Sequence, residues 1–143
     1  MNTIDSITME LESGIAAFEA KHFSTALRLL TPLAEAGNAE AQYRVAIMLQ
    51  NGLGVVADSA RALALMQAAA QQGMALAQHG LGFMYMQGEG VRQNGEQALH
   101  WLSKAAAQGL QGSMTTIAMM YEQGVGVPSD PERAKHWYRR AGF

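Results

Sequence analysis

GVGVPSDPERAKHW, residues 124–137, sets two glycines around a valine, then Ser-Asp-Pro, then a stretch with helical patterning. Two earlier versions precede it, GLGVVADSARALAL at 52–65 and GEGVRQNGEQALHW at 88–101. The chemistry of the phrase predicts a helix stop, a pinned loop and a helix start. Gly124 suits the left-handed residue that ends a helix without a Cβ clash. Gly126 lets the loop backbone run close to a neighbouring helix, and Val127 is expected to point inward. Asp130 is a good N-cap, and Pro131 fits the first helical position, where its missing N–H costs nothing. Asp58 and Asn94 are the corresponding caps.

The phrases recur at a fixed step. Gly52, Gly88 and Gly124 are 36 residues apart, as are Gly54, Gly90 and Gly126, and Gly37, Gly73 and Gly109. Self-similarity at one period is the signature of a stacked repeat. Each unit reads as two amphipathic helices. The first carries Ala77, Leu81, Met84 and Tyr85 on one face, matched by Ala41, Val45, Met48 and Leu49, and by Ser113, Ile117, Met120 and Tyr121. The second carries Ala98, Trp101, Leu102 and Ala105, matched by Ala62, Leu65, Met66 and Ala69, and by Ala134, Trp137, Tyr138 and Ala141. Small residues at 46, 82 and 118 allow the paired helices to approach closely.

The first unit departs from the pattern. Ala26 lies 36 residues before Ala62, but Gly14 lies only 32 before Ala46, so its inter-helix loop is four residues shorter. Pro32 falls inside its second helix and predicts a bend or an early break there. Terminal repeats are usually atypical, and this unit reads as a cap.

Composition agrees with one folded α-helical body. The chain has 143 residues, 49% of them apolar and 15% charged, with a formal net charge of -2 and no cysteine. Disorder, disulfides, thiolate metal sites and a strongly basic nucleic-acid face are disfavoured. No signal peptide or membrane span is read, so no membrane partner and a cytoplasmic location are expected. Residues 1–40 hold six acids and two bases, whereas residues 104–143 hold three acids and five bases. An elongated molecule would then have an acidic and a basic end, although scattered solvated charge is the plainer reading.

These residues resemble the Sel1-like repeats, relatives of the tetratricopeptide repeats. The middle copy supplies Ala77, Leu81, Gly82, Tyr85, Gly88, Gly90, Val91, Asn94, Ala98, Trp101, Lys104, Ala105, Ala106 and Gly109. The third supplies Tyr121, Gly124, Gly126, Val127, Asp130, Arg133, Ala134, Trp137, Tyr138 and Ala141. The copy before them is weaker, with Leu49 for the tyrosine and Leu65 for the tryptophan. Gly14, Phe23, Ala26 and Leu27 look more like a tetratricopeptide unit. The resemblance implies an all-α, right-handed α/α solenoid of helix–loop–helix repeats forming one domain. Residues 4–37 would be the TPR-like cap, followed by Sel1-like repeats at 38–73, 74–109 and 110–143. It also implies a non-catalytic adaptor that binds a protein or peptide segment in a concave groove lined by the first helices. The alternative is an inhibitor or immunity-type protein that occludes one toxin or enzyme.

Repeat register places the groove ridge at Leu11, Ile15 and Phe18, then Tyr43, Ile47 and Gln50. It continues with His79, Phe83 and Met86, then Thr115, Met119 and Glu122. An apolar strip with a polar fringe marks a partner site if curvature does not bury it. Trp137, Tyr138 and Phe143, with no further helix after them, are a second candidate surface and would allow a homodimer through the C-terminal end. Arg133, Lys135, Arg139 and Arg140 make that face polar. No cofactor, metal or catalytic group is expected. His100 and His136 share a repeat slot, but paired surface histidines are ordinarily solvated. The glycine loops lack the preceding strand of a phosphate-binding loop. Met48, Met84 and Met120 share one slot and are expected in the core.

Overall fold

Helix stops and starts of the kind just described divide the chain into helical hairpins. The structure, a computed structural model, describes residues 3–143. Among them are eight helices and no strand. They are α1 (Thr3–Glu19), α2 (Phe23–Glu35), α3 (Ala39–Asn51), α4 (Ser59–Gln71), α5 (Ala75–Gln87), α6 (Gly95–Ala107), α7 (Gln111–Gln123) and α8 (Pro131–Arg140). Their contacts cluster in two compact units, one running to Gln72 and the other Gly73–Phe143. In the first unit α1 pairs with α2 and α3 with α4, and α2 packs on α3. In the second α5 pairs with α6 and α7 with α8, and α6 packs on α7.

The loop phrase does locally what its chemistry dictates. Gly52, Gly88 and Gly124 take φ values of 66°, 73° and 69°, and their N–H groups donate to the carbonyls of Met48, Met84 and Met120. The caps then act twice. The side chains of Asp58, Asn94 and Asp130 each accept from the amide three residues on, at 3.1 Å. Their own N–H groups donate back to Leu49, Tyr85 and Tyr121 at 2.8–2.9 Å, which ties the loop to the helix it left. Val127 packs against the core of the second unit, as expected.

The core follows the repeat slots. Val45, Met48 and Leu49 are buried in α3, as are Leu81 and Met84 in α5 and Ile117 and Met120 in α7. A Cβ at Gly82 would press on Leu102 and on the Ala98 carbonyl, so the missing side chain sets how closely α5 and α6 approach. Packing at this density makes each slot sensitive to volume.

Two features differ from expectation or escaped it. The helix α2 does not break at Pro32 but runs on to Glu35. Pro32 lies in the last turn, exposed, so only its own helical hydrogen bond is lost, while Leu30, Leu33 and Ala34 hold the turn down by burial. A glutamine tie also recurs unforeseen. Gln72 donates to the Gly37 carbonyl at 3.0 Å and to Gln42 at 2.9 Å, and Gln108 donates to Gly73 and Gln78 at 2.9 Å. Gln42 and Gln78 are buried, and these bonds satisfy amide groups that would otherwise destabilise the core.

Candidate protein-binding surface

The ridge positions are carried by the first helix of each hairpin, on the side next to the Met/Tyr core stripe. In the first unit Leu11, Ile15, Phe18, Tyr43, Ile47 and Gln50 are all half-buried. Phe18 meets Phe23 edge-on at 5.8 Å, and the Arg44 guanidinium stands 5.2 Å from the Phe18 ring centre. Arg44 also pairs with Glu40 at 3.7 Å. Burial pushes the Tyr43 phenol above its ordinary pKa, with Arg44 opposing and Glu40 adding, so the group is a neutral hydroxyl.

In the second unit α5 places His79 half-buried and Phe83 exposed, while α7 places Thr115 and Met119 half-buried and Glu122 exposed. His79 Nδ1 lies 2.8 Å from the hydroxyl of the fully buried Ser113, which joins the two helices. Burial lowers the pKa of His79, favouring the neutral ring. Glu122 accepts a hydrogen bond from the Tyr138 hydroxyl at 3.3 Å.

Met86 is a correction. It is only 1% exposed and belongs to the core cluster of Ala98, Leu102, Ala106, Ile117 and Met120. The step from Phe83 to Met86 turns the side chain toward α6, and the final turn of α5 is covered there. The α5 part of the ridge is therefore His79 and Phe83.

The ridge is apolar and aromatic, with the polar side chains of Tyr43, Gln50, His79 and Thr115 and the exposed carboxylate of Glu122 along it. Among the described residues no three His, Asp or Glu side chains gather to hold a metal ion. His100 and His136 instead lie edge-on to their neighbours Trp101 and Trp137, at 5.1 and 5.9 Å. No helix among them is long and apolar enough to cross a membrane.

The second candidate surface lies on α8. Trp137 and Tyr138 are half-buried, and Phe143 is 76% exposed. Arg140 covers the Trp137 ring at 4.6 Å, and Arg133 donates to the Tyr121 hydroxyl at 3.2 Å. Arg133, Lys135, Arg139 and Arg140 are all exposed.

Comparison with known proteins places this geometry. The Sel1 repeat family model matches residues 39–74, 75–110 and 113–142. A solved protective antigen of uropathogenic Escherichia coli strains, displaying an SLR fold, is 29% identical over 94% of this chain, with a TM-score of 0.87. A Sel1 repeat protein from Oxalobacter formigenes is 31% identical over 92% of it, with a TM-score of 0.82. This chain spans 30% of the first protein's length and 53% of the second's. No curated protein matches.

Proposed function

The chain belongs to the Sel1 repeat family, and from that premise we propose that it is a non-catalytic adaptor holding a protein or peptide segment. Sel1 repeats are commonly used in protein–protein interaction. The proposed contact surface is the ridge of the first helices, with α5 and α7 as one stretch and α1 and α3 as another.

The observation that carries this reading is Phe83. It is 38% exposed in the middle of α5, while Leu81, Met84 and Met86 around it are buried. Met119 holds the same slot in α7, and His79 and Thr115 supply the polar fringe. An accessible aromatic ring amid a well-packed helix is the kind of group that anchors an interface, and its truncation typically costs about 2 kcal/mol or more of binding.

The test compares variants immobilised for capture from native extract, with bound proteins identified by mass spectrometry. Phe83→Ala, alone and combined with Met119→Ala, should lose the partner that the parent protein holds. The single variant should change the melting temperature little, and the double variant should lower it more because Met119 also packs on the core. Met84→Ala is the contrast, because emptying a buried slot costs about 2–5 kcal/mol of stability. Retention of the same partner by the Phe83 and Met119 variant at full affinity would move the binding surface elsewhere.

A further inference from the structure

Repeat packing uses two matched faces, and both exist in charged versions on this chain. In the second unit α6 offers Ala98, Leu102 and Ala106, with Leu99 beside them, to Ile117 and Met120 of α7. One face thus belongs to a second helix of a hairpin, the other to a first helix. On α8 the second-helix face has changed. Leu27, Leu63 and Leu99 share a slot at the period of 36, and the next member is Lys135. The three leucines are half-buried, and the lysine is exposed. Arg139 likewise stands where Thr31, Gln67 and Ser103 stand. Tyr138 keeps a ring in the slot of Leu30, Met66 and Leu102.

The first-helix face has changed on α1. With Gly14 in register with Ala46, Ser13 takes the slot of Val45, Leu81 and Ile117. Ala16 takes that of Met48, Met84 and Met120. The slots are buried in α3, α5 and α7, but Ser13 and Ala16 are exposed. Beside them, also exposed, are Glu10 and Glu12, with Met9 in the same row.

We propose that the α8 face of one copy receives the α1 face of a second copy, in the register that α6 and α7 use. Lys135 and Arg139 would then meet Glu10 and Glu12 of the second copy, with Tyr138 against Met9 at the centre. Charge argues for this occupant. The segment 1–40 carries an excess of four acids and the segment 104–143 an excess of two bases. The only ion pair Lys135 makes among the described residues is an exposed one with Glu132 at 3.7 Å, which competes weakly, and Arg139 makes none. Because Ser13 and Ala16 offer little volume, apolar burial is slight and the contact is held mainly by charge. It is heterologous, so copies add head to tail into chains or close into a ring.

Sedimentation velocity over a wide concentration range tests this. At low salt the parent protein should associate with rising concentration, and the association constant should fall by about tenfold or more in high salt, where exposed charges are screened. Lys135→Glu with Arg139→Glu should be monomeric, and so should Glu10→Lys with Glu12→Lys. An equimolar mixture of the two variants should associate again, because each keeps the face that the other lacks. Circular dichroism checks that both remain helical, and alanine substitutions at the same sites replace any variant that does not. A parent protein that stays monomeric at low salt overturns the proposal. Loss of association in the α8 variant but not in the α1 variant also overturns it, and would show a symmetric contact of α8 with itself.

Discussion

The first hairpin and the three that follow it pair two helices with different connectors. The link from α1 to α2 is residues 20–22, whereas the later links are the seven-residue stretches 52–58, 88–94 and 124–130. The short link puts Lys21 in the left-handed region, at φ 63°, where the later loops use glycine. Its turn closes with His22 donating to Ala17 at 2.8 Å, and α2 starts without a side-chain cap. The long loop is therefore not needed to make a hairpin. What it adds, in the loops at 52–58 and 124–130, is a joint to the hairpin before it. A Cβ at Gly54 would press on Phe23 at the start of α2, and one at Gly126 on Gly95 at the start of α6. The first hairpin has none before it among the described residues and lacks the loop.

Breaking the joint should have the largest effect. A methyl at Gly95 would run into the carbonyl of Gly126, and both sides of the contact are backbone. Gly95→Ala should cost about 3 kcal/mol, the upper range for overpacking, read as a lower urea midpoint. An unchanged midpoint would mean that the loop can stand off and that the joint adds nothing.

Breaking the helix stop should come next. Gly124→Val forces a branched side chain to φ 69° and should lower stability by about 1–2 kcal/mol in a thermal scan. Removing the cap is milder. Asp130→Ala leaves the backbone bond to Tyr121 in place and deletes the bond to the Arg133 amide together with an exposed ion pair to the Arg133 guanidinium at 3.4 Å, which adds little, so a loss of about 1 kcal/mol is expected. Amide exchange should speed up in the first turn of α8 while the rest of that unit keeps its protection.

The smallest effect sharpens the comparison in the opposite direction. Lys21→Gly relieves the left-handed strain of the short link but adds freedom to the unfolded chain. The net should be a gain of about 0.5 kcal/mol, the difference between those two terms. A destabilised variant would show that Lys21 contributes through its side chain.

Legibility in the sequence follows the range of the interactions. The period of 36, the stops at Gly52, Gly88 and Gly124, the caps at Asp58, Asn94 and Asp130, and the core slots at Met48, Met84 and Met120 were readable. Each is set by the backbone preference of one residue or by spacing along one helix. The same local reading placed Phe83 correctly outside the packing stripe, but it put Met86 in the ridge and allowed, beside a bend, an early break at Pro32 where α2 runs on to Glu35.

Those errors share a cause with what was missed. Met86 is buried because α6 and α7 meet over the end of α5, and α2 continues past Pro32 because Leu33 and Ala34 are held in the core. The glutamine ties join residues 30 to 35 positions apart. The close pass of Gly126 over Gly95 spans a similar distance along the chain. The sequence by itself determined the repeat, its helices and most of the core, because propensity and periodicity act within a few residues. Which ridge side chains stay exposed, and which glycines tolerate no methyl, was decided only by tertiary packing, because burial depends on what neighbouring hairpins bring to the same place.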